Sequence, residues 1–293
     1  MLKPMRTLED TVAKLCDASR RKAVDPYTHL DWPEKLDPDQ WCTSPELVSL
    51  HGTPRWEQLD EAARKRLSFL EAVNFCSINI HGEKVLIEGL AQRLYSTSES
   101  AYATSSPYLH HFIDEENKHL VYFGGFCSRY AGKVYPDRKI DFPRKYAPGE
   151  DEFLFFARVL VFEEIVDAYN QRNAADDRLA PIARAINHAH HLDESRHLAF
   201  GRQIVRELFQ SRAPEWSRQT LEGVRKYLSA YFVATWREYY NPDVYTDLDV
   251  EDPYELADVA FRDEGQRARR REMSAGLVRY FLENEILARE PAV

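Results

Sequence analysis

His190-His191-Leu192-Asp193-Glu194-Ser195-Arg196-His197 is the stretch that orders the rest of the chain. On a helix, residues three and four apart share a face, so His190, Glu194 and His197 point the same way. Apolar residues continue that stripe on both sides, through Ile182 and Ile186 before it and Ile204 and Leu208 after it. The three polar groups are therefore expected to face a core. An ionised carboxylate in an apolar interior is costly unless strongly paired, and a metal ion is the natural partner for a Glu flanked by two His.

Working outward, Asp114-Glu115-Glu116-Asn117-Lys118-His119 repeats the arrangement. Glu116 and His119 interrupt a stripe formed by Leu109, Phe112, Phe123 and Phe126. Two inward Glu-x-x-His pairs make half of the ligand set of a dinuclear carboxylate bundle, which is completed by one Glu from each of two further helices. Glu83 is the only acid on the stripe Phe69, Val73, Cys76, Ile80, Ile87, Leu90 and Leu94, whereas Glu88 has Lys84 and Gln92 one turn away. Glu163 has Val159, Leu160 and Val166 as helical neighbours, while Glu164, its competitor, has Asp167. The expected ligands are Glu83, Glu116, His119, Glu163, Glu194 and His197, with His190 as an additional nitrogen. Asp193 and Glu115 are expected to orient His119 and His197, respectively, by accepting their distal N–H groups.

The remaining sequence accommodates such a bundle. The 293 residues, 44% hydrophobic with 11 glycines, suit one globular domain spanning 1–293. A net charge of -9 argues against general nucleic-acid binding. The chain shows neither a membrane-length apolar run nor the apolar centre of a secretion signal, so a cytoplasmic location is the default expectation. Cys16, Cys42, Cys76 and Cys127 lack Cys-x-x-Cys spacing and are read as buried or free thiols.

In chain order, a polar helix could occupy residues 1–23, and 1–55 is read as an irregular N-terminal wrap. Its prolines break any long helix, and its aromatics Tyr27, Trp32 and Trp41 are expected to clamp onto the bundle. Helices are expected over about 56–95, from Ser106-Pro107 to about 130, over 151–171, from the turn at 173–177 to about 212, over 216–239, and in a charged final segment to about 288. The fold expectation is all-α: a ferritin-like four-helix bundle core with additional N- and C-terminal helices.

Carboxylate and imidazole donors suit iron, with manganese a further candidate in one or both positions. The Asp-Glu-Glu-Asn-Lys-His and Asp-Glu-Ser-Arg-His segments resemble those of ferritin-like diiron oxygenases. His190, together with Tyr240-Asn241-Pro242-Asp243-Val244-Tyr245 and Asp252-Pro253-Tyr254-Glu255-Leu256, resembles the p-aminobenzoate N-oxygenase family across roughly residues 60 to 280. The resemblance implies two iron ions, O2 as co-substrate, and oxidation of an amine nitrogen to the hydroxylamine, nitroso or nitro level. It also implies an external reductase as electron donor, since the chain carries no flavin or nicotinamide motif. The amine could be free or carrier-tethered, arylamine or derived from an amino acid, and a homodimer is compatible with this class. Tyr95, Phe123, Tyr169, Phe200 and Tyr231 are candidate pocket residues, and Arg267, Arg269, Arg270 and Arg271 could dock an acidic carrier or form a solvated face. A diiron C–H hydroxylase or desaturase, and a non-enzymatic iron-binding bundle, stay open as alternatives.

Overall fold

The computed structural model describes residues 7–138 and 145–293. Helices account for its regular structure, and no strand occurs among the described residues beyond an isolated bridge between Trp41 and Leu179. The core is built from α3 (Glu61–Arg93), α4 (Ser100–Phe126), α5 (Glu150–Ala175) and α6 (Pro181–Arg212), where α3 packs on α4 and α5, and α6 on α5 and α4. Around it lie α1 (Leu8–Lys22), α2 (Pro54–Gln58), α7 (Arg218–Arg237), α8 (Pro242–Asp247), α9 (Pro253–Arg262) and α10 (Glu264–Glu283).

Two glycines set the spacing of α3 and α5. A Cβ on Gly82 would lie 2.5 Å from the Phe162 ring, and one on Gly89 would lie 2.1 Å from the Phe155 ring. Both helices can approach only because those positions carry no side chain. The pairs also show that α3 and α5 run antiparallel, since 82 meets 162 and 89 meets 155.

Several boundaries differ from the sequence expectation. The long helix begins at Glu61 rather than near Trp56, because Asp60 caps it by accepting from Ala63 N, and Trp56 lies in the separate short α2. Ser106-Pro107 is not the start of α4, which begins a full two turns earlier. Pro107 removes the hydrogen bond that Ala103 O would receive. That loss is offset by burial of Ala101, Tyr102 and Ser105 and by the bond from Tyr102 Oη to Glu152 on α5 at 2.6 Å. The final charged segment is two helices, since Asp263 ends α9 and caps α10 by accepting from Gln266 N.

The helix expected within residues 1–23 is present as α1, and the segment after it up to Thr53 is irregular apart from one short 3-10 turn. The helix α1 buries Leu8, Val12, Leu15 and Cys16 and packs on α4 and α6. Trp32 stands over Tyr130 and Gly125, and Trp41 over Trp56, but Tyr27 is 75% exposed and clamps nothing. The arginine cluster does not form one face either. Arg270 is buried, donating to Tyr240 Oη and Phe261 O, and Arg269 turns toward His51, so a four-arginine docking surface is not present. No helix among the described residues is long and apolar enough to cross a membrane.

Candidate metal centre

The four core helices each bring acid or imidazole groups to one buried point. Glu83 comes from α3, Glu116 and His119 from α4, Glu163 from α5, and His190, Glu194 and His197 from α6, each at most 3% exposed. Ligand atoms fall into three groups whose members lie within 4.8 Å of one another: Glu83 with His119 and His190, Glu116 with Glu163 and His197, and Glu116 with His119 and Glu194. The first two groups share no residue and outline two cation positions. The third draws Glu116 and His119 from those two groups and adds Glu194.

The imidazoles do not all face inward through the same atom. His197 Nδ1 lies 2.9 Å from Glu116 Oε1 and 3.5 Å from Glu194 Oε1, and His119 Nδ1 lies 3.6 Å from Glu116 Oε2. His190 instead turns Nε2 inward, 2.7 Å from Glu194 Oε1 and 3.7 Å from Glu83 Oε1. Phe112 stacks on His197 at 3.9 Å, and Phe123 meets His190 edge-on at 4.9 Å, fixing the ring planes.

The residues fit a pair of divalent cations. Both oxygens of Glu83 and Glu163, one each of Glu116 and Glu194, and Nδ1 of His119 and His197 are buried without a hydrogen-bond partner. Such a concentration of unsatisfied polar atoms calls for an explanation in a folded protein, and an ion is the economical one. Four carboxylates also balance two divalent charges. Without those charges, burial and the neighbouring Glu116 and Glu194 push Glu83 well above the usual carboxylate range, and burial with Glu194 does the same to Glu163. Burial would lower His119, but its bonds to Asp193 and Glu116 outweigh that and lift it to about 9. Burial and the adjacent His119 hold His190 down.

Behind the α4 and α6 imidazoles stands a paired charge network. His119 Nε2 lies 3.2 Å from Asp193 Oδ2, and His197 Nε2 lies 2.8 Å from Glu115 Oε2. Arg196 bridges both carboxylates, Lys118 pairs with Asp193, and Arg196 Nε donates to Ser19 Oγ of α1 at 3.1 Å. Sequence reasoning did not single out Arg196, Lys118 or Asn170, the last of which contacts His190 Nδ1. A partial signal existed, since Arg196 follows Asp193 by three residues, and Asn170 continues the Glu163 stripe at i+7.

The competing residues lie elsewhere. Glu164 pairs with Arg202, Glu88 is exposed, and His191 binds Asp167 at 2.7 Å from a position 32% exposed. Beside the cluster, between α3, α5 and α7, is a cavity of about 400 Å³ lined by residues including Ile78, Leu86, Arg158, Val159, Phe162 and Glu238. Of the expected pocket aromatics Tyr231 lines it. Phe123 packs on His190, Phe200 on Phe112, and Tyr169 stacks on Tyr239, while Tyr95 is 72% exposed.

Residues 6–284 match the protein family described as P-aminobenzoate N-oxygenase AurF, and the chain belongs to that family. The match takes in the N-terminal region that the residue likeness left out. Uncharacterized proteins of Mycobacterium tuberculosis and Mycobacterium bovis are 26% identical over 246 residues, covering 79% of this chain and 68% of theirs.

Proposed function

From membership in that family, we propose that the chain is a non-haem diiron enzyme that uses O2 to oxygenate the nitrogen of an amine. Its ligands in this reading are Glu83, Glu116, His119, Glu163, His190, Glu194 and His197. The observation that carries it is the third buried imidazole: His190 joins Glu83 and His119 in one of the two cation groups. Two ferrous ions bound there would supply electrons and open positions for O2, with manganese an alternative occupant. The carboxylates of Glu115 and Asp193 accept the N–H of His197 and His119, respectively, so the inward nitrogens keep their lone pairs.

The cavity supports a small organic amine as substrate. Its walls Ile78, Leu86, Val159 and Phe162 are apolar, and its lining residues Gly82 and Phe162 are the sequence neighbours of Glu83 and Glu163. Glu238 lies near Asn74, and Arg158 lies on the turn after Phe155, which meets Gly89. Arg158 and Glu238 both act electrostatically on Tyr231 of the cavity wall. A molecule with an apolar body and a polar group fits that lining. Val85, 63% exposed, lies at the cavity wall, leaving room for a free or tethered substrate. Electrons come from an external reductase.

The test is a single-turnover reaction. Protein loaded anaerobically should hold two irons per chain, and exposure to O2 with a panel of aryl and alkyl amines should give hydroxylamine, nitroso or nitro products. Hydroxylated or desaturated carbon with intact amine would replace this reading by the C–H oxidation alternative. Iron uptake with no product from any substrate would favour an iron-binding bundle.

A further inference from the structure

Two of the three imidazoles are backed by carboxylates, and the third by an amide. A carboxylate only accepts, so Asp193 and Glu115 fix the proton of His119 and His197 on Nε2, with or without metal. His190 Nδ1 faces Asn170, whose Nδ2 lies 2.9 Å away and Oδ1 3.3 Å. An amide can do either job. With its NH2 turned to the ring, Asn170 donates to Nδ1, and the ring proton sits on Nε2, aimed at Glu194. With its carbonyl turned to the ring, it accepts from Nδ1–H, and Nε2 has a free lone pair.

Among the described residues, no other hydrogen bond selects one orientation of that amide. Asn170 is fully buried. The two ring states differ only in which nitrogen carries the proton, so the exchange releases no net proton. A neutral partner also makes the ring a weaker donor than a carboxylate partner would.

Resting on the metal-centre reading above, we propose that Asn170 is a positioning residue that couples the tautomer of His190 to metal occupancy. Its amide turns over when a cation arrives, and His190 is the most loosely held nitrogen of the centre. The arrangement leaves one ligand able to leave and return while the carboxylate-backed pair stays fixed.

The experiment is nitrogen NMR of histidine-labelled protein, with Zn²⁺ as a diamagnetic probe. In the wild-type chain His190 should change from the Nε2–H to the Nδ1–H form on loading, while His119 and His197 keep their protons on Nε2. Asn170→Asp should slow Zn²⁺ release about tenfold, and Asn170→Leu should weaken one of two Zn²⁺ sites by about tenfold or more. An unchanged His190 tautomer in wild-type protein holding two Zn²⁺ would overturn the proposal and leave the centre standing, and this readout needs no variant to fold. Wild-type protein that binds no Zn²⁺ pair would overturn both. Variants with wild-type Zn²⁺ affinity and release would remove Asn170 from the argument.

Discussion

The two sides of the centre are built on opposite electrostatic terms. On the α4 and α6 side, the carboxylates of Glu115 and Asp193 meet Arg196, Lys118 and two imidazoles. On the α3 and α5 side, Glu83 and Glu163 are buried with both oxygens unpartnered and lie beside a cavity. A paired network holds its geometry at all times, whereas a bare buried carboxylate is held at a cost that a cation relieves. The difference assigns rigidity to one side and openness to ligand to the other.

The largest effect should come from breaking the paired side. Arg196→Leu leaves two buried carboxylates short of a partner and should lower the stability of metal-free protein by about 3–5 kcal/mol. Urea unfolding measures it, and an unshifted midpoint would mean that Arg196 does not hold the network together. On the bare side the sign reverses. Glu163→Gln should stabilise the metal-free chain by about 2 kcal/mol while losing bound iron, and Glu83→Gln should behave alike. Glu164→Gln and Glu88→Gln should keep their iron, since those side chains point away from the cluster. Iron lost from the second pair and kept by the first would reverse the helix phase argued for α3 and α5.

A smaller effect sharpens the contrast through Glu71, a buried acid of α3 twelve residues before Glu83. It accepts from Ser49 N at 3.1 Å, and Ser49 Oγ contacts Tyr245 Oη at 2.7 Å. Burial, only partly opposed by those bonds, raises its carboxyl from 4.5 to about 8. Below the lower value both folded and unfolded chains are protonated. As pH rises past it, the unfolded chain loses its proton first, so stability falls until the folded carboxyl ionises as well. The loss should be about 1 kcal/mol between pH 6 and 7, and Glu71→Gln should lack it. Thermal melts of both proteins at pH 5, 6, 7 and 8 would show parallel curves if Glu71 does not carry this term.

The residues of the centre were readable where chemistry and period coincide. Glu116, His119, Glu194 and His197 interrupt apolar stripes, and a stripe fixes the direction of a side chain with no knowledge of its neighbours. Glu83 and Glu163 followed from the same phase, and the structure places both in the cluster. Arg196 and Asn170 carried only the partial signal of helical spacing, because their roles depend on which helices lie side by side. The start of α4 was misread because Pro107 has good chemistry for a first turn, and only the tertiary burial of Tyr102 and Ser105 shows that the helix had already begun. Similarly, four arginines close in sequence suggested one surface, yet α10 turns Arg270 into the core.

The bond from Arg196 to Ser19 carries a consequence for the order in which the protein comes into being. Ser19 leaves the ribosome well before Arg196, which follows behind α5. The candidate ligands are spread from Glu83 to His197, so a growing chain that has reached only α4 offers a single Glu-x-x-His pair plus Glu83 to passing metal. Until α6 emerges, α1 also lacks one of the two core helices it packs on. The centre is thus assembled late, completed when α6 joins the other three core helices, and α1 is tied down at the same stage through Ser19.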